Sequence, residues 1–483
     1  MSVNEETLTR TVERFRERRI LLPTFRQMRE PQSVPEKIKQ RLKNVGLWDV
    51  DPANLFRITW KNEPVEKGGL FNNGNWIEFP PELTGVDTRI IGILGKFFPT
   101  GAHKVGAAFG CLVPKLVSGQ FDPTQHKAVW PSTGNFCRGG AFDSALVGCT
   151  AVAILPEEMS RERFAWLKDI GAEVITTPGC ESNVKEIYDK CWEIRRTRRD
   201  CIIFNQFEEF GNAVWHYHVT GKTIEEIFNW IGGGSRLSGY VSATGSAGTI
   251  AAGDYLRTVH PQLRVVATEA LQCPTLYQLG FGGHRIEGIG DKHVPWIHNV
   301  RNTDMVAAID DEQCMALFRL FNEPEGQTLL NHRLSDQLIQ QLTLLGISGI
   351  CNLVAAIKTA KYYDMDGRDV IFTCLTDSAD LYASRLEELS TERGPYNAEC
   401  AAYDQARHLD GIVADHGREL TYHDRKALHN FKYFTWVEQQ GRTADELREL
   451  WQPDFWERTF AQVDEWDEQI EAFNARTGVL DLL

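Results

Sequence analysis

Residues 239–253, GYVSATGSAGTIAAG, decide the fold, because a short β-prone run passes through glycine, serine and threonine into a small-residue helix. A strand is predicted at 239–242, a helix at about 248–258, and a further strand at 264–268. Such alternation of strand and helix predicts a parallel sheet with helices on both faces. Ligands bind such sheets at the carboxyl ends of the strands, so the loop between these elements is a candidate site.

The same alternation extends over much of the chain. Strands are also predicted at 90–94, 128–130, 150–155, 173–176, 202–204 and 369–374, and helices at about 159–170, 181–196, 218–230, 311–322, 350–363 and 380–389. We expect two α/β domains, with parallel sheets and helices on both faces, flanked by helical extensions. The predicted units are an N-terminal extension at 1–60, a large domain at 61–127 and 206–392, a smaller mobile domain at 128–205, and a C-terminal extension at 393–483.

The last unit lacks the strand pattern, and no strand is expected beyond Gly394-Pro395. It carries Trp436, Trp451, Trp456 and Trp466 within helical patterns. Large aromatic side chains need a surface to pack on, so we expect them to contact either the main body or a second subunit.

Composition excludes several classes of function. The 483 residues carry a formal net charge of -14, which argues against a nucleic-acid partner, since phosphate binding needs clustered Lys and Arg. The eleven cysteines show no CxxC pair or zinc-site spacing, so no metal site is predicted and the thiols are expected to be reduced. The polar N-terminus and the absence of an apolar run of ~20 residues predict a cytoplasmic protein without a membrane partner.

Lys104 is the first candidate catalytic residue. It follows Phe98-Pro99-Thr100-Gly101-Ala102-His103, whose proline and glycine break the preceding element, and it opens a small-residue helix. The positive end of a helix dipole and partial desolvation both disfavour a charged amine, which suits Schiff-base chemistry with an aldehyde cofactor. On this segment alone, a solvated first-turn lysine is the favoured explanation, because short motifs often match by chance.

Two further loops follow predicted strands. Ser132-Thr133-Gly134-Asn135 offers hydroxyl, amide and backbone donors to an anion such as a substrate carboxylate, although the same residues also cap helices well. Residues 245–249, Gly-Ser-Ala-Gly-Thr, let the backbone approach a phosphate at a helix N-terminus. This loop has neither a Walker lysine nor the GxGxxG dinucleotide pattern, so a phosphate-bearing cofactor other than a nucleotide is expected, and a plain tight turn is the alternative.

The third loop, Thr376-Asp377-Ser378, follows the strand predicted to end at Cys374. A hydroxyl there would hydrogen-bond a pyridine nitrogen without protonating it, whereas a carboxylate would hold the ring as pyridinium. Ser378 as the partner favours elimination at a β carbon, and Asp377 favours transamination-like chemistry. A helix cap at either residue is the alternative without a ligand.

Together these segments resemble the fold type II pyridoxal-phosphate enzymes, most closely the cysteine synthase and cystathionine β-synthase group. Gly101-Ala102-His103-Lys104 is similar to the family's Schiff-base lysine segment, in a form closer to the tryptophan synthase β chain. The family's substrate-carboxylate loop is similar to Ser132-Thr133-Gly134-Asn135, and its phosphate cup is similar to residues 245–249. A stretch on the substrate side of the family's site is similar to Asn205-Gln206-Phe207. Thr376-Asp377-Ser378 resembles the ring-nitrogen segment and favours Ser378 over Asp377. The similarity covers about residues 90–390.

The resemblance implies a site and a cofactor, pyridoxal 5'-phosphate. The implied residues are Lys104 as the catalytic and cofactor-binding lysine; Asn135, Gly245, Ser246, Ala247, Gly248, Thr249 and Ser378 as cofactor contacts; and Ser132, Thr133, Gly134, Asn135 and Gln206 as substrate contacts. Phe136 and Arg138 depart from the family pattern and predict a narrower and more positive substrate pocket.

The implied activity is β-replacement or β-elimination on a serine- or cysteine-like amino acid through an aminoacrylate, with a thiol or another nucleophile as second substrate. A reaction like that of threonine synthase, tryptophan synthase β or a dehydratase is the alternative among enzymes. A pyridoxal-phosphate-binding protein without turnover, acting as an oligomeric partner module, is the alternative of another class. The resemblance also implies a homodimer.

Overall fold

The protein is built on two sheets, and the computed structural model describes residues 4–132, 134–180 and 183–483. The strands in these residues are β1 Trp76–Phe79, β2 Arg89–Leu94, β3 Lys127–Pro131, β4 Ala151–Pro156, β5 Glu173–Thr177, β6 Cys201–Ile203, β7 Arg236–Ala243, β8 Arg264–Ala270, β9 Met305–Ile309, β10 Asp369–Leu375 and β11 Gly417–Glu419. The large sheet has the order β1-β2-β10-β7-β8-β9-β11, and the small sheet has the order β5-β4-β3-β6. The predicted α/β class with two sheets is therefore confirmed.

Both sheets are parallel except at the edges of the larger one. β1 pairs with β2, and β11 with β9, in antiparallel register. Every residue of β4 and of β10 is buried, as expected for strands covered by helices on both faces. The small sheet uses strands from 127–203 only, while the predicted domain boundaries themselves stay a prediction.

Three strands depart from the sequence prediction. The expectation that strands end before Gly394 is wrong, because Gly417–Glu419 adds an edge strand to the large sheet. This three-residue strand carries no apolar pattern, so only its tertiary pairing defines it. Trp76–Phe79 and Met305–Ile309 are also absent from the prediction, since apolar runs this short do not separate strand from buried helix.

Helices cover the sheets and form both extensions. The α-helices are α1 Glu5–Arg18, α2 Phe25–Arg29, α3 Glu36–Leu42, α4 Pro81–Thr84, α5 Lys104–Val117, α6 Asn135–Val147, α7 Arg161–Asp169, α8 Val184–Thr197, α9 Phe210–Trp215, α10 Lys222–Ile231, α11 Ala251–Val259, α12 Thr275–Gln278, α13 Asp311–Asn322, α14 Pro324–Leu330, α15 Asp336–Leu342, α16 Ile347–Tyr362, α17 Ala383–Arg393, α18 Ala398–Asp404, α19 Tyr422–Lys432, α20 Ala444–Glu449, α21 Pro453–Thr477 and α22 Val479–Leu482. Three π-helical segments continue α9, α18 and α19, at His216–Gly221, Gln405–Asp410 and Tyr433–Val437.

No single helix of the described chain is both long and apolar enough to cross a membrane. Only α15 and α16 taken together, as a pair bent by 115°, meet that requirement of length and composition.

The two extensions pack on each other and on the Lys104 helix. The Asp467 carboxylate accepts hydrogen bonds from the backbone N–H groups of Phe25 and Arg26, at 2.6 and 3.0 Å. The Phe25 ring lies between Phe109 of α5 and Trp466 of α21, with ring centroids 5.8 and 5.7 Å apart. The extensions therefore form part of the core that supports the helix opened by Lys104.

The tail tryptophans resolve the choice left by the sequence in favour of the main body. Trp436, Trp456 and Trp466 are buried within the chain, and Trp451 is half-buried. Trp436 Nε1 donates a hydrogen bond to the carbonyl oxygen of Val294 at 2.9 Å, which satisfies its one polar group. The chain itself therefore covers Trp436, Trp456 and Trp466.

Helices α5 and α9 meet at two glycines, Gly110 and Gly211. A Cβ added at Gly110 would lie 2.3 Å from the carbonyl oxygen of Gly211, and one added at Gly211 would lie 2.0 Å from that of Gly110. No side chain fits at such distances. The absence of a Cβ at these positions therefore determines how closely the Lys104 helix approaches its neighbour.

Gly110→Ala is expected to lower the free energy of unfolding by roughly 1–3 kcal/mol, because backbone must move to admit the methyl group. Helix propensity alone predicts the opposite sign, a gain of about 1 kcal/mol. Gly349→Ala in α16 is the matched control, since the nearest atom to its Cβ would be at an ordinary 3.5 Å. Urea unfolding of both variants measures the difference, and a stabilised Gly110→Ala would contradict the packing argument.

Candidate functional site

A cavity lies at the carboxyl ends of strands from both sheets. Of the residues proposed from the sequence, those that line it are Lys104, Ser132, Asn135, Gln206, Gly245, Ser246, Ala247 and Thr249. Gly134, Gly248 and Ser378 are not among its lining residues, and Thr133 lies outside the described residues. The fold thus brings together most of the residues singled out in four separate segments of the sequence.

Lys104 is held between two of those loops. As predicted, it is the first residue of α5, after a turn in which Thr100 and Gly101 both have φ of +67°. Its Nζ donates to Ser246 Oγ at 2.9 Å and to Gln206 Oε1 at 3.0 Å. The amine therefore faces the glycine loop on one side and the predicted substrate side on the other.

The glycine loop turns sharply between β7 and α11. Ala247 has φ of +63°, which is uncommon for a residue with a side chain and marks a constrained turn. Ser246 Oγ also accepts a hydrogen bond from Asn212 Nδ2 at 2.9 Å. A Cβ at Gly248 would lie 2.0 Å from Asn212 Oδ1, so Gly248 makes room for the side chain that holds Ser246.

The backbone of this loop fits an anion such as phosphate. Within the described residues, the N–H groups of residues 245–249 donate to no other group. Buried N–H groups in proteins are nearly always paired, so a run of five beside a cavity is a site for an acceptor supplied by a ligand. The phosphate of pyridoxal phosphate is such an acceptor, and the Lys104 amine beside it suits the aldehyde of the same molecule.

The second loop is ordered by its own hydrogen bonds. Ser132 Oγ accepts from the N–H of Gly134 at 2.9 Å and from Gln206 Nε2 at 3.4 Å. Gly134 has φ of +149°, and a Cβ there would lie 2.1 Å from a terminal nitrogen of Arg163. Asn135 then begins α6, so the same loop both starts a helix and borders the cavity.

The two departures from the family pattern behave differently. Phe136 lines the cavity, in line with a narrower pocket. Arg138 is buried over the Trp166 ring, with its guanidinium carbon 5.0 Å from the ring centroid, and is not among the lining residues. Burial lowers the pKa of Arg138 to about 10. Arg138 therefore does not line the cavity itself, and the more positive pocket stays a prediction.

The ring-nitrogen segment places a different hydroxyl at the cavity from the one predicted. Thr376 lines it, and Thr376 Oγ1 lies 2.7 Å from Ser348 Oγ. Ser378 is buried, but among described residues its side chain makes no hydrogen bond, so its role stays a prediction. Thr376 comes directly after β10, and position at a strand end was the signal that could have identified it.

His103 is a neutral member of the site. Its Nδ1 lies 3.3 Å from the carbonyl oxygen of Thr376, which can only accept, so Nδ1 carries the hydrogen. Its Nε2 then accepts from Thr249 Oγ1 at 3.3 Å. Burial and the nearby Lys104 charge lower the pKa of His103 to about 3. It therefore orients the phosphate-loop threonine and is not a source of protons near neutral pH.

Comparison with known proteins shows what the central part of the chain is similar to. Residues 95–330 match the family described as pyridoxal-phosphate dependent enzyme. A probable cysteine synthase of Bacillus subtilis is 28% identical over 290 residues, which cover 60% of this chain and 86% of the relative. Cystathionine beta-synthase of Saccharomyces cerevisiae is 25% identical over 315 residues, which cover 63% of this chain and 59% of the relative.

Solved structures share the fold. O-acetyl serine sulfhydrylase isoform 3 from Entamoeba histolytica superimposes with a TM-score of 0.55 at 22% identity, covering 68% of this chain and 92% of that one. O-ureido-L-serine synthase gives a TM-score of 0.53 at 22% identity, covering 65% and 91%. The likeness to these structures is one of fold, and it covers about two thirds of this chain.

Gly248→Ala is expected to weaken binding of pyridoxal phosphate more than about tenfold, because the new methyl group displaces Asn212 and frees Ser246. Fluorescence titration of cofactor-free protein measures the dissociation constant. Asn212→Ala removes the same side chain without a clash and should weaken binding in the same direction. Unchanged affinity in both variants would contradict the assigned role of this loop.

The buried neutral imidazole of His103 also predicts a pH dependence of stability. In the unfolded chain a histidine takes up a proton near pH 6.5, whereas in the folded chain His103 stays neutral down to about pH 3. The free energy of unfolding should therefore fall as the pH drops from about 6.5 towards 3. Urea unfolding between pH 7.5 and 5 tests this, and His103→Gln should show a shallower slope than the unsubstituted protein.

Proposed function

We propose, from the match of residues 95–330 to the pyridoxal-phosphate-dependent enzymes, that the protein catalyses β-replacement or β-elimination on a serine- or cysteine-like amino acid. The observation that carries this proposal is the placement of the Lys104 amine between Ser246 of the glycine loop and Gln206. One amine thus adjoins both the phosphate cradle and the pocket for the amino acid. The names of the relatives, among them cysteine synthase and cystathionine beta-synthase, support the reaction class.

The chain's own residues supply the means to hold the cofactor. The N–H groups of residues 245–249 would bind the phosphate, and the Lys104 amine would bind the aldehyde carbon. A hydroxyl from Thr376 or Ser378 would face the ring nitrogen and leave it unprotonated. When bound, pyridoxal phosphate withdraws electrons from the α carbon of an amino acid and so eases loss of the α proton and of a β substituent.

Lys104 is the base in this proposal. Once its amine is free, Nζ can take a proton from the α carbon of the substrate, provided the two stay within hydrogen-bonding reach. Gln206 Oε1 and Ser246 Oγ hold Nζ in place, since each accepts one of its hydrogens. The Ser132 loop, with the Asn135 amide at its end, would bind the substrate carboxylate and keep the α carbon oriented.

Replacement and elimination differ in the step after the β substituent is lost. A thiol or another nucleophile adds in the first case, and water releases a keto acid and ammonia in the second. The tryptophan-synthase-like form of the His103 segment keeps a reaction of that type as the alternative. The contacts of His103 with Thr249 and Thr376 support a role in orienting the proposed cofactor site. A cytoplasmic location and a homodimer remain part of the proposal.

Lys104→Ala is expected to remove the visible absorbance of the lysine-bound cofactor and to lower turnover by roughly 10² to 10⁴-fold, because the base is lost. The assay measures pyruvate, ammonia and sulfide across L-serine, L-cysteine and O-acetyl-L-serine, with and without an added thiol. Lys96→Ala is the control, since Lys96 is a partly exposed lysine paired with Asp380 at 2.6 Å. Cofactor binding without any change in spectrum or product would instead support the non-catalytic alternative.

A further inference from the structure

A chain of buried hydrogen bonds starts behind the cavity and ends on Asn135. It begins at Arg163, which is fully buried and forms an ion pair with Glu287 at 3.0 Å. A second terminal nitrogen of Arg163 donates to Tyr382 Oη, also at 3.0 Å. Because a guanidinium has donors only, the Tyr382 oxygen is the acceptor of this bond and its hydrogen remains available.

That hydrogen goes to Asp377. Tyr382 Oη donates to Asp377 Oδ2 at 2.6 Å, and Asn135 Nδ2 donates to the same oxygen at 2.6 Å. Distances this short are typical of hydrogen bonds to an ionised oxygen. An ionised carboxylate can only accept hydrogen bonds. Asp377 therefore accepts from both Tyr382 and Asn135, so the NH₂ group of Asn135 must face Asp377.

The other atom of the Asn135 carboxamide is thereby left as an acceptor. Asn135 Oδ1 is buried and has no partner among the described residues, although Asn135 lines the cavity that contains Lys104. Buried polar atoms are nearly always paired. This oxygen is therefore positioned to receive a hydrogen bond from a donor group of the molecule that occupies the cavity.

We propose that Asp377 is a positioning residue, which orients the Asn135 carboxamide so that Oδ1 can bind a hydroxyl or N–H donor of the bound cofactor or substrate. The inference deepens the proposed function and rests on it. Asp377 itself is not among the residues that line the cavity. Gly346 supports its placement, since a Cβ there would lie 1.9 Å from Asp377 Oδ1.

The charge balance around Asp377 fits this assignment. Burial raises the pKa of its carboxyl, while the Tyr382 hydrogen bond, the Arg163 charge and the Asn135 hydrogen bond act in the opposite direction. As long as Oδ2 carries no proton, it accepts from both Tyr382 and Asn135. Only a proton on Oδ2 itself would reverse the Asn135 amide.

The first test compares cofactor affinity in three variants of the full chain. Asp377→Ala removes the acceptor and should raise the dissociation constant for pyridoxal phosphate about tenfold. Asp377→Asn keeps an acceptor oxygen and should stay within about twofold of the unsubstituted protein. Asp380→Ala is the control, since it removes an exposed carboxylate from the same turn. Affinity in Asp377→Ala equal to that of the unsubstituted protein would overturn the proposal.

The second test separates positioning from a general structural role. If Asp377 acts through Asn135, then Asp377→Ala in an Asn135→Ala background should weaken cofactor binding by less than about twofold. Equal losses in both backgrounds would overturn the proposal. If Asp377→Ala does not fold, as judged by circular dichroism, Tyr382→Phe in the same two backgrounds decides the question by the same criterion.

The affinity measurements test the role of Asp377 separately from the proposed reaction. Cofactor affinity can be measured whether or not any amino acid is turned over. An unsubstituted protein that binds pyridoxal phosphate but acts on no β-substituted amino acid would refute the proposed function and leave the Asp377 test intact. An active enzyme in which the two substitutions are additive would refute the positioning role alone.

Discussion

The Lys104 amine donates hydrogen bonds to side chains of two other loops, with both acceptor oxygens 2.9–3.0 Å from its nitrogen. The site therefore depends on three loops that meet at this nitrogen. Lys104 and Ser246 come from loops of the large sheet, and Gln206 follows the last strand of the small one. No local sequence preference produces such a meeting. It requires both sheets to present the carboxyl ends of their strands to a common cavity, and the parallel arrangement makes this possible because all those ends lie on one side.

The extensions have a structural part in that arrangement. Phe25 of the N-terminal extension and Trp466 of the tail pack against Phe109, one face of the helix that Lys104 opens. The tail also reaches the small sheet's helices, since Trp192 Nε1 donates to Gln440 Oε1 at 3.1 Å and Arg442 pairs with Glu208 at 3.0 Å. Residues 95–330, which match the family, are therefore supported by packing against residues on either side of that range.

Buried polar contacts also join the two halves of the site. The Arg163–Glu287 pair connects a helix of the small sheet's layer to the segment preceding Gly288, which lines the cavity. Buried ion pairs contribute little net stability, because desolvation offsets their attraction. In this site the pair instead determines the direction of the neighbouring hydrogen bonds. A guanidinium can only donate and a carboxylate can only accept, so the two groups decide which atom of each neighbouring side chain remains for another partner.

Local sequence patterns determined the alternation of strands and helices, the position of Lys104 at a helix start, and the glycine loop. These features depend on hydrophobic periodicity, on glycine and proline, and on small residues, which all act over a few neighbouring positions. Tertiary structure alone decided the edge strand Gly417–Glu419, the packing of the tail tryptophans and the partner of Asn135. The sequence predicts Ser378 at the cavity, but Thr376 lines it. Strand β10 ends at Leu375, and beyond that residue the alternation of side chains along a strand no longer determines which hydroxyl faces the cavity. Contacts between residues more than 200 positions apart, such as Asn135 with Asp377, leave no periodic trace in the sequence and arise only when the sheets assemble.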